Sequence, residues 1–149
     1  MIKVGTIGMI EKNAKSFPTT KAHADILNGW FGTINDNTTV KPTVETVKSK
    51  DLIVVMNTIN NDDMYTDVTL KAGTTVNAFL LREWANQTLE VSKIHLSADL
   101  STFSEKDILV ADIDGKLVKG DATDYGVSFI VVKKTNFCGG GLIVKIVVA

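Results

Sequence analysis

Cysteine is nearly absent: Cys138 stands alone among 149 residues. No internal disulfide can form, so stability has to come from burial and hydrogen bonding. Histidine is almost as scarce. His23 and His95 lie 72 positions apart, and one cysteine with two scattered histidines lacks the local pairing, CxxC or HxxxH, that zinc sites use. Long apolar runs are missing too. Phe129 to Val132 and Ile146 to Ala149 fall far short of the ~20 residues a membrane-crossing helix needs. The opening MIKVGTIGMIEKNAK is broken by Lys3, Gly5, Gly8, Glu11 and Lys12, so no signal peptide is expected. A formal net charge of -1 gives no global attraction to nucleic acid or anionic lipid. These absences lead us to expect a soluble protein made in a reducing compartment, without a nucleic-acid or membrane partner.

What is present reads as β-structure. The length suits one domain, or a domain with an extended arm. Lys106 to Val118, KDILVADIDGKLV, holds two alternating segments joined by Asp114-Gly115, which predicts a hairpin with a two-residue type I′ turn. Leu109, Ala111, Ile113 and Leu117 would then share the buried face, with Asp112, Lys116 and Lys119 at or near solvent. Trp30 to Ile34 reads as a strand that breaks at Asn35-Asp36-Asn37 and returns over Thr38 to Lys41. Leu52 to Asn57 and Asp67 to Leu70 are further strands, with the polar cluster Asn60-Asn61-Asp62-Asp63 as a loop between them. NAFLLREWANQTLEV can be drawn as a helix with Ala78, Leu81, Ala85 and Leu89 on one stripe. Its alternation at Val76, Ala78, Leu80 and Trp84 and the β-branched run to Leu96 favour a hairpin. Val127 to Lys133 and Leu142 to Val148 are strong strands that are apolar on both faces, as expected inside a sandwich or barrel or against another subunit. The architecture predicted is all-β, a single sandwich or barrel-like body over residues 28–149.

Residues 1–27 show no sustained period and contain Phe17-Pro18, which blocks simple helix propagation. We read them as an N-terminal arm with a short helix at Lys21 to Leu27. Charge is uneven as well: residues 1–50 carry seven Lys against four acids, and residues 51–149 nine Lys or Arg against thirteen acids. A basic front end can dock on an acidic partner, although solvated surface explains the same charges.

No motif selects a reaction. Cys138 has no neighbouring charge or helix N-terminus to activate its thiol. Gly139-Gly140-Gly141 lacks the Gly-Lys-Ser/Thr of a phosphate loop and leads into a strand, so its glycines read as turn residues. Asp62, Asp63 and Asp67 lack the spacing of a calcium loop. The acids of the β body select no pair for glycoside hydrolysis. Trp30 and Trp84 could stack sugars or bases, but no basic stripe surrounds them and core packing accounts for them equally. We expect no enzymatic activity, no cofactor and no metal.

The succession VTLKAGTTVNAFLLREW from Val68, then LEVSKIHL, KDILVADIDGKLV, GDATDYGVSFIVV and TNFCGGGLIVKIVVA, resembles tailed-bacteriophage head accessory proteins, of the capsid decoration, cement or head-fibre-base kind. The resemblance covers the last ~80 residues. It implies an all-β virion protein, trimeric in decoration families, synthesised in the host cytoplasm and seated on the outer capsid surface. There it would bind the major capsid protein and stabilise the assembled lattice, because a ligand that binds one state favours it. Several arms per oligomer would add avidity. Under this resemblance Lys3, Lys12, Lys15, Phe17 and Lys21 form a capsid-contact arm, and Trp30, Trp84, Phe129 and Val131 belong to an oligomer or recognition surface. A competing expectation is a head-fibre or tail adhesin with carbohydrate-binding Trp30, Trp84 and Tyr125. A biotinyl or lipoyl carrier domain is a third, but the modified-lysine tip is missing, with Asp114-Gly115 in its place.

Overall fold

The computed structural model describes residues 2–4, 16–57 and 68–149. In chain order the strands are β1 (Ile2–Val4), β2 (Ser16–Lys21), β3 (Ile26–Leu27), β4 (Phe31–Asn35), β5 (Thr38–Val40), β6 (Ile53–Val55), β7 (Thr69–Leu70), β8 (Thr75–Leu80), β9 (Thr88–Ser92), β10 (Ile108–Ala111), β11 (Leu117–Lys119), β12 (Val127–Thr135) and β13 (Gly141–Val148). The one α-helix among the described residues, α1 (Val44–Val47), is a single turn. The fold is all-β. Strands β2-β5-β4-β6-β8 close a barrel, and β1-β9-β13-β12-β10-β11 form an antiparallel six-stranded sheet.

Period-two alternation explains how the two layers pack. On β6, Ile53 and Val55 fill the barrel beside Val76, Ala78 and Leu80 of β8, while Val54 points the other way, toward the sheet. Every residue of β6 is therefore buried, and the strand reads as one apolar run. Trp30 and Phe31 divide in the same way, the first with the barrel interior and the second with the sheet. Phe31 meets Phe129 edge-to-face with ring centroids 5.5 Å apart, a contact that contributes about 0.5–1.5 kcal/mol beyond its area. Leu89, Val91, Leu109, Leu117, Leu142 and Val144 complete the sheet's inner face, all of them fully buried.

Residues 16–27 are built into this body and do not form an arm. Strand β2 is a barrel stave: it pairs antiparallel with β8, and its single parallel pair, Lys21 with Thr38, closes the barrel against β5. The pairing with β8 slips between Phe17 and Thr20, which is why no clean period shows in the sequence. No helix forms over Lys21 to Leu27; Ile26 and Leu27 pair with β7 instead. Strand β1 is an edge of the six-stranded sheet, against β9. Removing residues 1–27 would open the barrel. Lys12, Lys15 and the Asn60 to Asp63 cluster lie outside the described residues.

Two hairpin expectations need correction. The type I′ turn occurs at Asp36-Asn37, where φ is +45° and +58° and Asn35 pairs with Thr38. At the Asp114-Gly115 hairpin the last strand pair is Ala111 with Leu117, and only Gly115 (φ +73°) has positive φ. Gly115 N–H donates to Asp112 O and Asp112 N–H to Lys116 O, a three-residue loop with a bulge at glycine. The extra residue turns Ile113 out of the buried face, leaving it 49% exposed. Strands β8 and β9 are both present, but they are not partners. A 3-10 turn, Leu81–Trp84, carries the chain from the barrel to the sheet between them.

Candidate binding cleft and sheet face

The hairpin tip reaches across to the barrel and makes one wall of a cleft. Phe31 N–H donates to Gly115 O at 3.0 Å. A Cβ at Gly115 would lie 2.1 Å from Trp30 Nε1, so only glycine permits the tip to sit on the indole. The opposite wall is the segment from His23 to Leu27, with Lys41 and Pro42 after β5. Together they enclose about 430 Å³. His95 forms the floor. It ends a 3-10 turn after β9 and is buried against Gly29, where a Cβ would come 2.6 Å from His95 Nε2. Thus the barrel contributes His23 and Trp30, and the sheet contributes His95 and the tip.

The two histidines that share no motif in sequence share this cleft. His23 is held by Thr39: its backbone N–H donates to Thr39 Oγ1 at 2.9 Å, and Nδ1 lies 2.8 Å from the same oxygen. Its ring is tilted against Trp30 at 5.4 Å. Burial, then the charge of Lys41, holds His23 below the usual imidazole range. Burial drives the His95 pKa down to about 3, assisted by positive charge that includes Lys116 and opposed by a hydrogen bond to the Asn28 backbone. Both rings are therefore neutral at pH 7. Asp25 is engaged by Lys71 Nζ at 2.6 Å and by the Ala72 N–H, which hold its carboxyl below the ordinary range. Neither Lys41 nor Lys116 has a side-chain ion pair or hydrogen bond among the described residues.

Asp112 orders the tip. One carboxylate oxygen accepts the backbone N–H groups of Asp114 and Lys116, both at 2.9 Å, and the other accepts the Ser97 hydroxyl. Strand alternation alone puts Asp112 on an exposed face, whereas its carboxylate is engaged within the tip. Its position two residues before Asp114-Gly115 was the signal for an Asx-type turn. Among the described residues no cluster of three or more His, Cys, Asp or Glu is positioned to hold a metal ion.

The expected recognition residues lie inside the molecule. Trp30 is 6% exposed, Trp84 2%, Phe129 0% and Val131 1%. All four are packed in the chain's own core clusters, so none supplies an oligomer or sugar-binding surface. Trp30 lines the cleft but offers no open ring face, because Gly32, Gly115 and His23 cover it. Tyr125 is half-buried, with Lys48 Nζ 5.7 Å from its ring centroid. Of the expected contact arm, Phe17 packs on the barrel core and Lys21 donates to Thr75 Oγ1 at 2.7 Å. The backbone of Lys3 lies in β1.

The outer face of the six-stranded sheet is a second feature. Ile108, Ile130 and Lys145 lie side by side across β10, β12 and β13, as do Lys133 and Ile143 across β12 and β13. Val132 sits in the bulge between Val131 and Lys133. Ile108 and Val132 are 40% and 43% exposed. The strands that read as apolar on both faces thus bury one face on the barrel and leave the other, mixed with lysine, without a covering layer among the described residues.

Comparison with protein-family models, with curated proteins and with solved structures finds no match.

Proposed function

We propose that the chain is a structural protein of a tailed-bacteriophage virion that binds the outer capsid surface through the major capsid protein and stabilises the lattice. The resemblance of residues 68–149 to head accessory proteins supports this reading, and the outer face of the six-stranded sheet, which no other described residues cover, carries it. That face is built by the segments that bear the resemblance. Its isoleucines and valine supply apolar area, and Lys133 and Lys145 supply charge at the same place. Either a second copy of the chain or the capsid would bury it, and a trimer docked on the lattice uses both kinds of contact. The adhesin reading is less favoured, because Trp30 and Trp84 are buried and Tyr125 is partly covered.

The test is to mix purified protein with undecorated heads and sediment them. Co-sedimentation at a fixed copy number per capsomer is expected. The double variant Ile130→Glu/Val132→Glu should bind at least tenfold more weakly with an unchanged far-UV circular dichroism spectrum. Retention on a glycan array without head binding would sink the capsid reading.

A further inference from the structure

We propose that the cleft between the β10–β11 tip and the barrel is a recognition site for an acidic protein segment, with Lys41 and Lys116 pairing with its carboxylates. This inference does not depend on the capsid reading.

Three observations carry it. First, the site is concave and assembled from both layers, with His23 and Trp30 from the barrel and His95 and the hairpin tip from the sheet. Its walls are held by hydrogen bonds: Phe31 N–H to Gly115 O, Thr39 with His23, and Asp112 within the tip. Second, the local charge favours an anion. Lys71 neutralises Asp25, whereas the ammonium groups of Lys41 and Lys116 are unpaired among the described residues. Among the described residues, against these two stand the exposed carboxylate of Asp114 and that of Asp112, which already accepts the Asp114 and Lys116 N–H groups and the Ser97 hydroxyl. What distinguishes the cleft is thus two ammonium groups without a partner among the described residues, on a chain whose net charge is -1, and a low-dielectric recess strengthens their pairing with an anion. Third, the apolar lining does not suit a sugar. Stacking needs a free aromatic face, and the Trp30 ring is covered by Gly32, Gly115 and His23. What remains is an edge of indole with Ile26, Pro42 and Ile113, which suits the aliphatic stem of a glutamate-bearing segment.

The experiment titrates the whole protein with a terminally blocked hexaglutamate peptide at low ionic strength and follows the ring proton signals of His23 and His95 by NMR. Both rings should shift with a saturating dependence. Lys41→Ala or Lys116→Gln should each raise the half-saturation concentration at least threefold, and 0.5 M salt should weaken binding more strongly still. Lys145→Ala, on the outer sheet face, should leave it unchanged. The proposal is overturned if hexaglutamine shifts the same signals equally, if Lys145→Ala weakens binding as much as the cleft variants, or if neither ring responds. An acidic oligosaccharide that binds more tightly than the peptide would also overturn it. Thermal midpoints of the variants separate loss of binding from loss of fold. Loss of head binding with the peptide response intact would count against the capsid reading alone.

Discussion

Gly115 shows how much of the assembly depends on a single missing side chain. Its φ of +73° costs an L-residue about 1–2 kcal/mol. Its neighbours add a second cost, since a Cβ would stand 2.1 Å from Trp30 Nε1 and 2.8 Å from Phe31 O. Overpacking of that kind costs about 1–3 kcal/mol. Gly73 provides the control, because its φ is +76° but nothing lies within 4 Å of a Cβ there. Gly115→Ala should therefore destabilise by about 2–5 kcal/mol and Gly73→Ala by about 1–2 kcal/mol, read from urea unfolding. Equal losses would show that the tip does not bear on Trp30. The same contact explains why Trp30 cannot serve as a surface platform: the tip that shapes the cleft also seals the indole.

At the scale of elements, the β10–β11 hairpin is fixed as much by Asp112 as by its glycine. Asp112→Ala would leave the N–H groups of Asp114 and Lys116 and the Ser97 hydroxyl without their acceptor, at a cost of about 1–3 kcal/mol. Hydrogen exchange should report it locally, with faster exchange at Lys116 and at Phe31, whose amide depends on the tip carbonyl. Unchanged protection at both amides would refute the role given to Asp112. The hairpin itself was legible in the sequence, but its loop length was not. Asp-Gly suits both a two-residue turn and a three-residue loop with a bulge, and the choice rests on the Asp112 side chain and on a contact with distant Phe31. Strands β8 and β9 teach a related lesson. Alternation at Val76, Ala78 and Leu80 identifies a strand, yet it carries no information on which strand is its partner. Pairing here is non-local, and the two strands enter different sheets. β2 was missed altogether because most of its residues face solvent and its ladder slips. The cleft was the least legible feature, since His23 and His95 come together only through the docking of barrel and sheet.

For the whole molecule, that docking couples stability to pH. The buried His95 ring takes up its proton only near pH 3 in the folded chain, against about 6.5 when unfolded. Between those values the unfolded state binds more protons, so stability is full above pH 6.5 and falls as the pH drops toward 3. His23 is lowered in the same direction, chiefly by partial burial. At 1.36 kcal/mol per unit, His95 accounts for at most about 4–5 kcal/mol over that window. The carboxylates of Asp25, Asp107 and Asp121, whose pKa values are also lowered, lose their contribution only at more acid pH. Among these described groups, measurements between pH 7 and 4.5 therefore report chiefly on the imidazoles. The unfolding free energy from urea titration should fall steadily across this range. His95→Gln should flatten the fall, because a neutral side chain of similar reach takes up no proton, whereas His23→Gln should flatten it less. Parallel pH profiles for wild type and His95→Gln would mean that His95 is solvated in the folded protein, and that barrel and sheet do not close over it.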